Sequence, residues 1–285
     1  MMWVSKVNFD TIGYFMDNDN TILLGHIKDL AGRAYQNDYI THTNFLGMSE
    51  LAAFYDEIKK SDGLPAGDVY NGVKFTLYGG YEDCERNVLC FLPSYLDAQG
   101  LKLQEDEGGS IVSCLKIVPV NAKFADKLTH RDFLGSLMNL GIERDIIGDI
   151  LVSEDGQIAY LFILKDMEEL ICKELIRIKH TSVKCIPVSN KECDIRPSFE
   201  EISGSVASER LDAVLAFVYR ISRSQAQELV SRQLVFIDGR TAYSAGYDLK
   251  EGARVSVRGH GKFRYLGQTG NTRKGRLVIS VAVYK

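Results

Sequence analysis

The chain has 285 residues, long enough for two or three domains, and its 45% hydrophobic, 25% charged and 10% aromatic residues exclude a disordered or fibrous protein. No apolar run approaches the roughly 18 residues of a membrane helix, and the N-terminus lacks the basic-then-apolar pattern of a secretion signal, so a cytoplasmic protein without membrane contact is expected. The formal net charge of −4 hides an asymmetry: residues 203–285 hold 14 Lys and Arg against 6 Asp and Glu, a surplus of +8, while residues 1–202 hold the remaining 20 against 32, a deficit of −12.

Residues 17–37 place Leu23, Ile27, Leu30, Ala31 and Ala34 on one helical stripe, and a shorter helix is read over 49–59 with Ser49 as its N-cap. After the turn-rich stretch 62–67, strands are expected at 73–78 and 87–92, separated by Gly79-Gly80-Tyr81-Glu82-Asp83. The polar, acidic residues 104–109 read as a linker or exposed loop.

From 110 the order becomes a cycle: strand 111–118, helix 131–140, strands 148–152 and 157–164, helix 167–179, strand 182–188. That β-α-β-β-α-β order predicts a ferredoxin-like module, with Thr129 and Asp132 capping its first helix and a hairpin turn at Asp155-Gly156. RNA-recognition motifs share this topology, but the sheet lacks their aromatic pattern, so topology alone does not imply RNA binding here.

The chain leaves this module near Arg196-Pro197, and Ser203-Gly204-Ser205 reads as a flexible hinge. Beyond it, Leu211, Val214, Leu215 and Val218 define one amphipathic helix, and Ala226, Leu229 and Val230 a second that opens on a Ser222/Gln225 capping box. Strands follow at 235–237, 254–257, 262–265 and 277–283, with a turn at Asp238-Gly239 and a glycine-rich basic loop over 267–275.

A basic module of this size is the electrostatic footprint of phosphate contact. The start of the second helix, Ser222, Arg223 and Ser224, offers unsatisfied backbone N–H groups to a phosphate. Gln227 lies one turn on, Arg210 opens the first helix, Arg220 lies between the two helices and Arg232 follows the second, so these residues are expected to converge on a nucleic-acid backbone. Arg258, Lys262 and Arg264 on the hairpin, with Arg273, Lys274 and Arg276 in the loop, extend the track. Phe263 and Tyr265 are read as strand packing in preference to base stacking, and Arg223→Ala with Lys262→Ala is expected to weaken RNA binding while leaving stability within about 0.5 kcal/mol.

The motifs Arg210-Leu211-Asp212, Ser222-Arg223-Ser224-Gln225-Ala226 and 235–239 closely resemble the S-four RNA-binding domain, named after small-subunit ribosomal protein four. Two positions depart from its usual pattern: Gln233 stands where glycine is common, and Asp238 where asparagine is, which sets a negative charge near the RNA side. Further segments, 24–30, 79–86, 130–135, Gly141-Ile142 and 148–151, resemble the YlmH family of bacterial proteins in the same order over nearly the whole chain.

With that resemblance, the expected fold is α+β in three modules. These are an N-terminal α/β module over 1–108, a central ferredoxin-like (RRM-like) βαββαβ module over 109–196, and a C-terminal S-four-type helix pair with a small β-sheet over 203–285. The resemblance implies a monomeric cytoplasmic factor that binds rRNA of the large ribosomal subunit and peptidyl-tRNA in ribosome-associated quality control, with a protein partner for the acidic N-terminal body left unnamed.

Enzymes that carry the same RNA-binding domain would each need a second signature. There is no G-x-G-x-x-G after a strand, no G-x-x-x-x-G-K-[ST] and no His-x-Gly-His. Arg210-Leu211-Asp212 matches only three letters of the pseudouridine-synthase motif, and His130-Arg131-Asp132 fits helix capping better than acid–base chemistry. Cys84, Cys90, Cys114, Cys172, Cys185 and Cys193 form no C-x-x-C pair and the histidines have no ligand spacing, so reduced cysteines, no metal and no cofactor are expected. An RNA-modifying enzyme with an unrecognised site and a cell-division-associated scaffold stay open as alternatives.

Overall fold

The structure, a computed structural model, describes residues 9–62 and 68–284, so the turn expected over 62–67 lies, from residue 63 onward, outside the described residues. The chain forms two compact units, Met1–Ile195 and Arg196–Lys285.

In the first unit, α1 (Phe9–Asn37) and α2 (Met48–Asp62) cover one face of a four-stranded antiparallel sheet of β1 (Thr41–Leu46), β2 (Val69–Tyr70), β3 (Val73–Tyr78) and β4 (Asn87–Phe91), in the order β1-β4-β3-β2. The expected stripe Ile27, Leu30, Ala31 and Ala34 is buried against Leu46, Phe54, Phe75 and Phe91. Helix α2 begins at Met48, one residue before the expected cap, and the Gly47 N–H donates to the Glu50 carboxylate at 2.6 Å.

The expected linker over 104–109 is instead the end of a helix, α3 (Ala98–Asp106), capped by Asp97. Glu105 explains the difference: its carboxylate is 4% exposed and accepts the N–H groups of Ser110, Ile111 and Val112 at 3.0–3.3 Å, which anchors the chain where β5 (Val112–Pro119) begins. An acidic residue in a polar run thus works as a buried acceptor, a role that composition cannot show.

The ferredoxin-like cycle is present. Helix α4 (His130–Asn139), β6 (Ile147–Val152), β7 (Ala159–Leu164), α5 (Glu168–Glu174), β8 (Arg177–Ile178) and β9 (Thr181–Val188) complete a sheet of order β6-β7-β5-β9-β8. The second helix stops at Glu174, short of the expected 179, and its last residues become the edge strand β8. Asp132 accepts both the Thr129 N–H and its hydroxyl at 2.8 Å and pairs with Lys179 at 2.8 Å, so the His130-Arg131-Asp132 triplet caps a helix.

Strand β7 is buried on both faces, which is why it reads as an unbroken apolar run. Ala159, Leu161 and Ile163 pack toward Phe133, Leu137 and Ile171 of the two helices. Tyr160, Phe162 and Leu164 pack the other way, against Phe45, Tyr78, Val88, Leu96 and Leu101. The sheet face that an RNA-recognition motif would leave open for stacked bases is therefore covered by the N-terminal elements. The boundary expected at residue 108 lies inside one compact unit whose two sheets share a core.

All six cysteines are free, and burial pushes the Cys185 thiol up to about 12. Among the described residues no helix is long and apolar enough to cross a membrane.

The second unit begins before the expected residue 203. Strand β10 (Phe199–Val206) contains Ser203-Gly204-Ser205, which is thus no hinge: the three residues pair with Ser280, Ile279 and Val278 of β15 (Leu277–Tyr284). Gly204 is required there because a Cβ would sit 2.1 Å from the Phe217 ring. After α6 (Leu211–Tyr219) and α7 (Arg223–Ser231), the strands β11 (Val235–Ile237), β12 (Arg240–Thr241), β13 (Arg254–Val257) and β14 (Gly261–Asn271) give a six-stranded sheet of order β10-β15-β14-β13-β11-β12. The loop expected over 267–275 is mostly hairpin, because β14 and β15 stay paired out to Asn271 and Leu277. Val214, Leu215, Ala226 and Val230 of the helices pack on Val235, Val255, Phe263, Tyr265, Ile279 and Val281 of one sheet face.

Candidate nucleic-acid interface

The R-L-D signature places Asp212 in the first turn of α6, where the following helix closes over it. Its side chain has no exposed surface and accepts from four donor groups. The Arg223 Nη2 lies 2.7 Å from both carboxylate oxygens, Gln227 Nε2 donates at 2.8 Å, and Arg210 approaches through Nε and Nη2 at 3.3 and 3.4 Å. Burial raises the Asp212 carboxyl, but the hydrogen bonds from Gln227, Arg223 and Arg210 outweigh it and hold it below the usual carboxylate range.

Arg210, Arg223 and Gln227 therefore do converge, on an internal carboxylate. They reach it across sequence separations of 2, 11 and 15 residues. The expectation that Arg223→Ala leaves stability untouched is corrected on this ground: Arg223 holds a buried charge, and its loss acts on the fold as well as on any ligand. Both arginines nonetheless keep about half of their side-chain surface exposed, 44% for Arg210 and 48% for Arg223, so Asp212 orients them at the surface without sealing them off. Asp212 itself is buried and saturated with donors, which rules it out as a nucleophile open to substrate.

Ser222 and Gln225 form the expected capping box: the Ser222 hydroxyl accepts the Gln225 N–H at 3.2 Å and the Gln225 side chain accepts the Ser222 N–H at 2.9 Å. The Ser224 and Ser222 hydroxyls lie 2.9 Å apart. Arg220 ends α6 in the left-handed region at φ +53°, exposed, so the arginine is held on a tight reversal beside the start of α7. Arg232 closes α7 and pairs on the surface with Glu228 at 3.6 Å.

The other predicted cations lie elsewhere in the unit. Arg258 stacks over the Phe236 ring at 5.1 Å and the Lys262 ammonium lies 4.6 Å from the Tyr284 centroid. Arg264 pairs across strands with Arg254 on the same side of the sheet, the side opposite the helices. Arg273 and Lys274 are exposed in the β14–β15 turn, while Arg276 donates to the Ser205 carbonyl at 2.9 Å and braces strand β10. The thirteen residues thus fall into three places: the exposed side of the helix pair, the opposite face of the sheet, and a hairpin tip. Phe263 and Tyr265 have no exposed surface and take no part.

Two aromatic residues outside the predicted set flank the helix start. The loop 243–248 hydrogen-bonds α6 through Leu211 N–H to Tyr247 O at 2.8 Å and Asp212 N–H to Ala245 O at 3.0 Å. It carries Tyr243, 80% exposed, and Tyr247, 43% exposed. Tyrosines in a loop without a strand pattern were the only signal for them.

Both departures from the usual pattern have a structural outcome. Gln233 has φ +55°, so glycine is the unstrained residue at that position. We expect Gln233→Gly to stabilise the unit by about 1 kcal/mol, read as a higher Tm; a lower Tm would show that the glutamine side chain supplies more than the backbone strain removes. Asp238 is exposed, and its carboxylate accepts the Arg254 N–H at 2.9 Å, so its charge serves the turn.

Residues 112–192 match the family model described as "Putative RNA-binding domain in YlmH", and residues 209–255 match the S4 domain. A helix pair on a small sheet behind an RNA-binding-type module defines the class: an RNA-binding protein with a C-terminal S4 domain. The chain thus carries a domain of the type found in YlmH and, after it, an S4 domain. The ribosome-associated protein quality control protein P2 of Bacillus subtilis (strain 168) is 29% identical over 202 residues, covering 70% of this chain and 73% of that protein. Among solved structures, cell division protein ylmH from Streptococcus pneumoniae aligns at 19% identity with a TM-score of 0.45, over 69% of this chain and 99% of that one.

Proposed function

We propose that this protein is a non-catalytic, cytoplasmic RNA-binding factor that associates with the large ribosomal subunit, contacts its rRNA and peptidyl-tRNA, and assists quality control of stalled nascent chains. One observation carries the reading: buried Asp212 fixes the orientation of Arg210, Arg223 and Gln227 beside the capped start of α7, in a unit with a surplus of +8 counted from residue 203. Guanidinium groups already held in place lose little freedom on meeting a phosphate, and a helix start adds backbone donors and a favourable dipole. The ribosomal assignment rests on the name of the Bacillus subtilis relative. The role is one of occupancy: a bound protein steadies one tRNA position without making or breaking a bond.

The test is sedimentation of the tagged protein through sucrose gradients at low and high salt, with bound RNA sequenced. The reading predicts co-migration with free large subunits that is lost at high salt. Arg220→Gly is the informative variant, because glycine suits φ +53° and the fold keeps its stability. The salt dependence of RNA binding is expected to flatten by about one unit of slope in that variant. Protein that stays at the top of the gradient with no enriched RNA would overturn the reading.

A further inference from the structure

The exposed face of the S4-domain sheet, opposite the helix pair, carries a pattern that the helix-side interface does not use. Register and alternation define it. Phe236 of β11 stands opposite Ser256 of β13, Ser256 opposite Lys262 of β14, and Arg254 opposite Arg264. Arg264 stands opposite Ala282 of β15, and Tyr284 opposite Phe199 of β10. Their neighbours of the other parity, Val255, Val257, Phe263, Tyr265 and Val281, are buried under the helices. Solvent exposure of Ser203, Ser205 and Ser256 confirms that this second face is open.

Two features of the face point to a ligand. Cations and rings are interleaved: Arg258 over Phe236, Lys262 over Tyr284, and Phe199 edge-on to Tyr284 with centroids 4.7 Å apart. Between these ring sites, Arg254 of β13 stands opposite Arg264 of β14, which places two guanidinium side chains next to each other on the path between the rings. The acidic Glu201 on the same face accepts the Ser280 hydroxyl at 2.6 Å, at the β10 side of the sheet. A row of cations with flat rings at its two ends matches a chain of phosphates with splayed bases, and a groove-bound duplex would leave the rings unused.

We infer that the outer face of the S4-domain sheet binds unpaired RNA, with Arg254, Arg264 and Lys262 on the phosphates and Phe236 and Tyr284 against the bases. The inference rests on the proposed RNA-binding function and extends it to a second surface. The domain thereby engages two RNA segments at once, one structured on the helix side and one single-stranded on the sheet side.

The test uses the full chain and two labelled probes, a ten-nucleotide oligouridine and a blunt RNA hairpin. Phe236→Val with Tyr284→Val is expected to weaken oligouridine binding at least about tenfold while leaving hairpin affinity unchanged. Arg254→Thr with Arg264→Thr is expected to flatten the salt dependence of oligouridine binding by about 1.4 units of slope, two phosphate contacts on a single strand. Arg220→Gly should do the reverse, weakening the hairpin and sparing oligouridine. Thermal melts of each variant establish that it is folded. Undiminished oligouridine binding in the folded ring variant, or hairpin binding without any oligouridine binding, overturns the inference and leaves the RNA-binding function standing. Failure of the wild-type protein to bind either probe overturns both. Displacement of oligouridine by oligoglutamate at equal charge would overturn the assignment to RNA, since a purely electrostatic patch does not distinguish the two.

Discussion

Asp212→Ala is expected to destabilise the C-terminal unit by about 1–3 kcal/mol, the effect of removing a buried acceptor from hydrogen bonds to charged groups. The carboxylate has no exposed surface and receives Arg223, Gln227 and Arg210, so its removal takes the shared acceptor from three side chains at once. Hydrogen exchange followed on peptides from 196–285 reads the change without requiring the two units to unfold together. Arg223→Ala is expected to be milder, because Gln227 and Arg210 still meet the carboxylate. A loss under about 1 kcal/mol in Asp212→Ala would mean that water replaces the carboxylate freely, and the account of a pre-oriented interface would fall with it.

The same residue makes the unit sensitive to acid. Its folded-state pKa lies below the unfolded value, so ionised Asp212 contributes its stability fully above the ordinary carboxylate range. That contribution is lost as the pH falls below about 4 and through the depressed value. Asp149 in the first unit has the opposite sign: burial raises it, against hydrogen bonds from the Tyr81 hydroxyl and the Glu85 N–H, so its protonated form is favoured by folding. Exchange protection near Asp212 should therefore decline on acidification in wild type and be flatter with pH in Asp212→Asn.

Gly80→Ala is expected to cost the first unit about 3 kcal/mol, with a corresponding fall in Tm. Gly80 has φ +94°, and a Cβ there would lie 2.3 Å from Cδ1 of Phe162, the ring that joins the two sheets' shared core. Neither the backbone nor the buried ring can yield cheaply. Combining it with Phe162→Leu should recover part of the loss, since the smaller side chain vacates the contact while the backbone strain remains. An alanine variant as stable as wild type would show that the loop moves aside and that the Gly-Gly pair does not position it. The adjacent Gly79 is under similar constraint, with a Cβ 2.2 Å from the Cys84 thiol, so the 79–86 motif is a tight loop packed on the central sheet.

Much of the fold was legible locally. The helical stripe through Ile27 and Ala34, the β-α-β-β-α-β order, and both capping boxes depend on residues a few positions apart, where periodicity and hydrogen-bond reach are set by the backbone itself. The clustered positive charge and the R-L-D and S-R-x-x-A signatures were likewise visible, and with them the class of protein. The Ser203-Gly204-Ser205 error has a physical origin: small polar residues suit a flexible segment equally well as a strand whose partner, Ser280, is 77 residues away. The 104–109 segment was misread because burial of Glu105 depends on three N–H groups that arrive only when β5 folds back over it.

For the interface, the residue types were readable and their partners were not. A helical position tells which side a residue takes, while the group it meets depends on how two elements pack; only the packing of α7 on α6 turned Arg223 and Gln227 toward Asp212. Strand alternation similarly buried Phe263 and Tyr265 and left Lys262 and Arg264 on the open face, once the helices had chosen a side. The amino-acid sequence by itself thus determined the elements, the charge division and the S4-domain signature. Tertiary structure alone decided which cations are braced by a carboxylate and which sheet faces stay open, because those outcomes follow from contacts between surfaces that are remote along the chain and become neighbours only when their apolar sides are buried together.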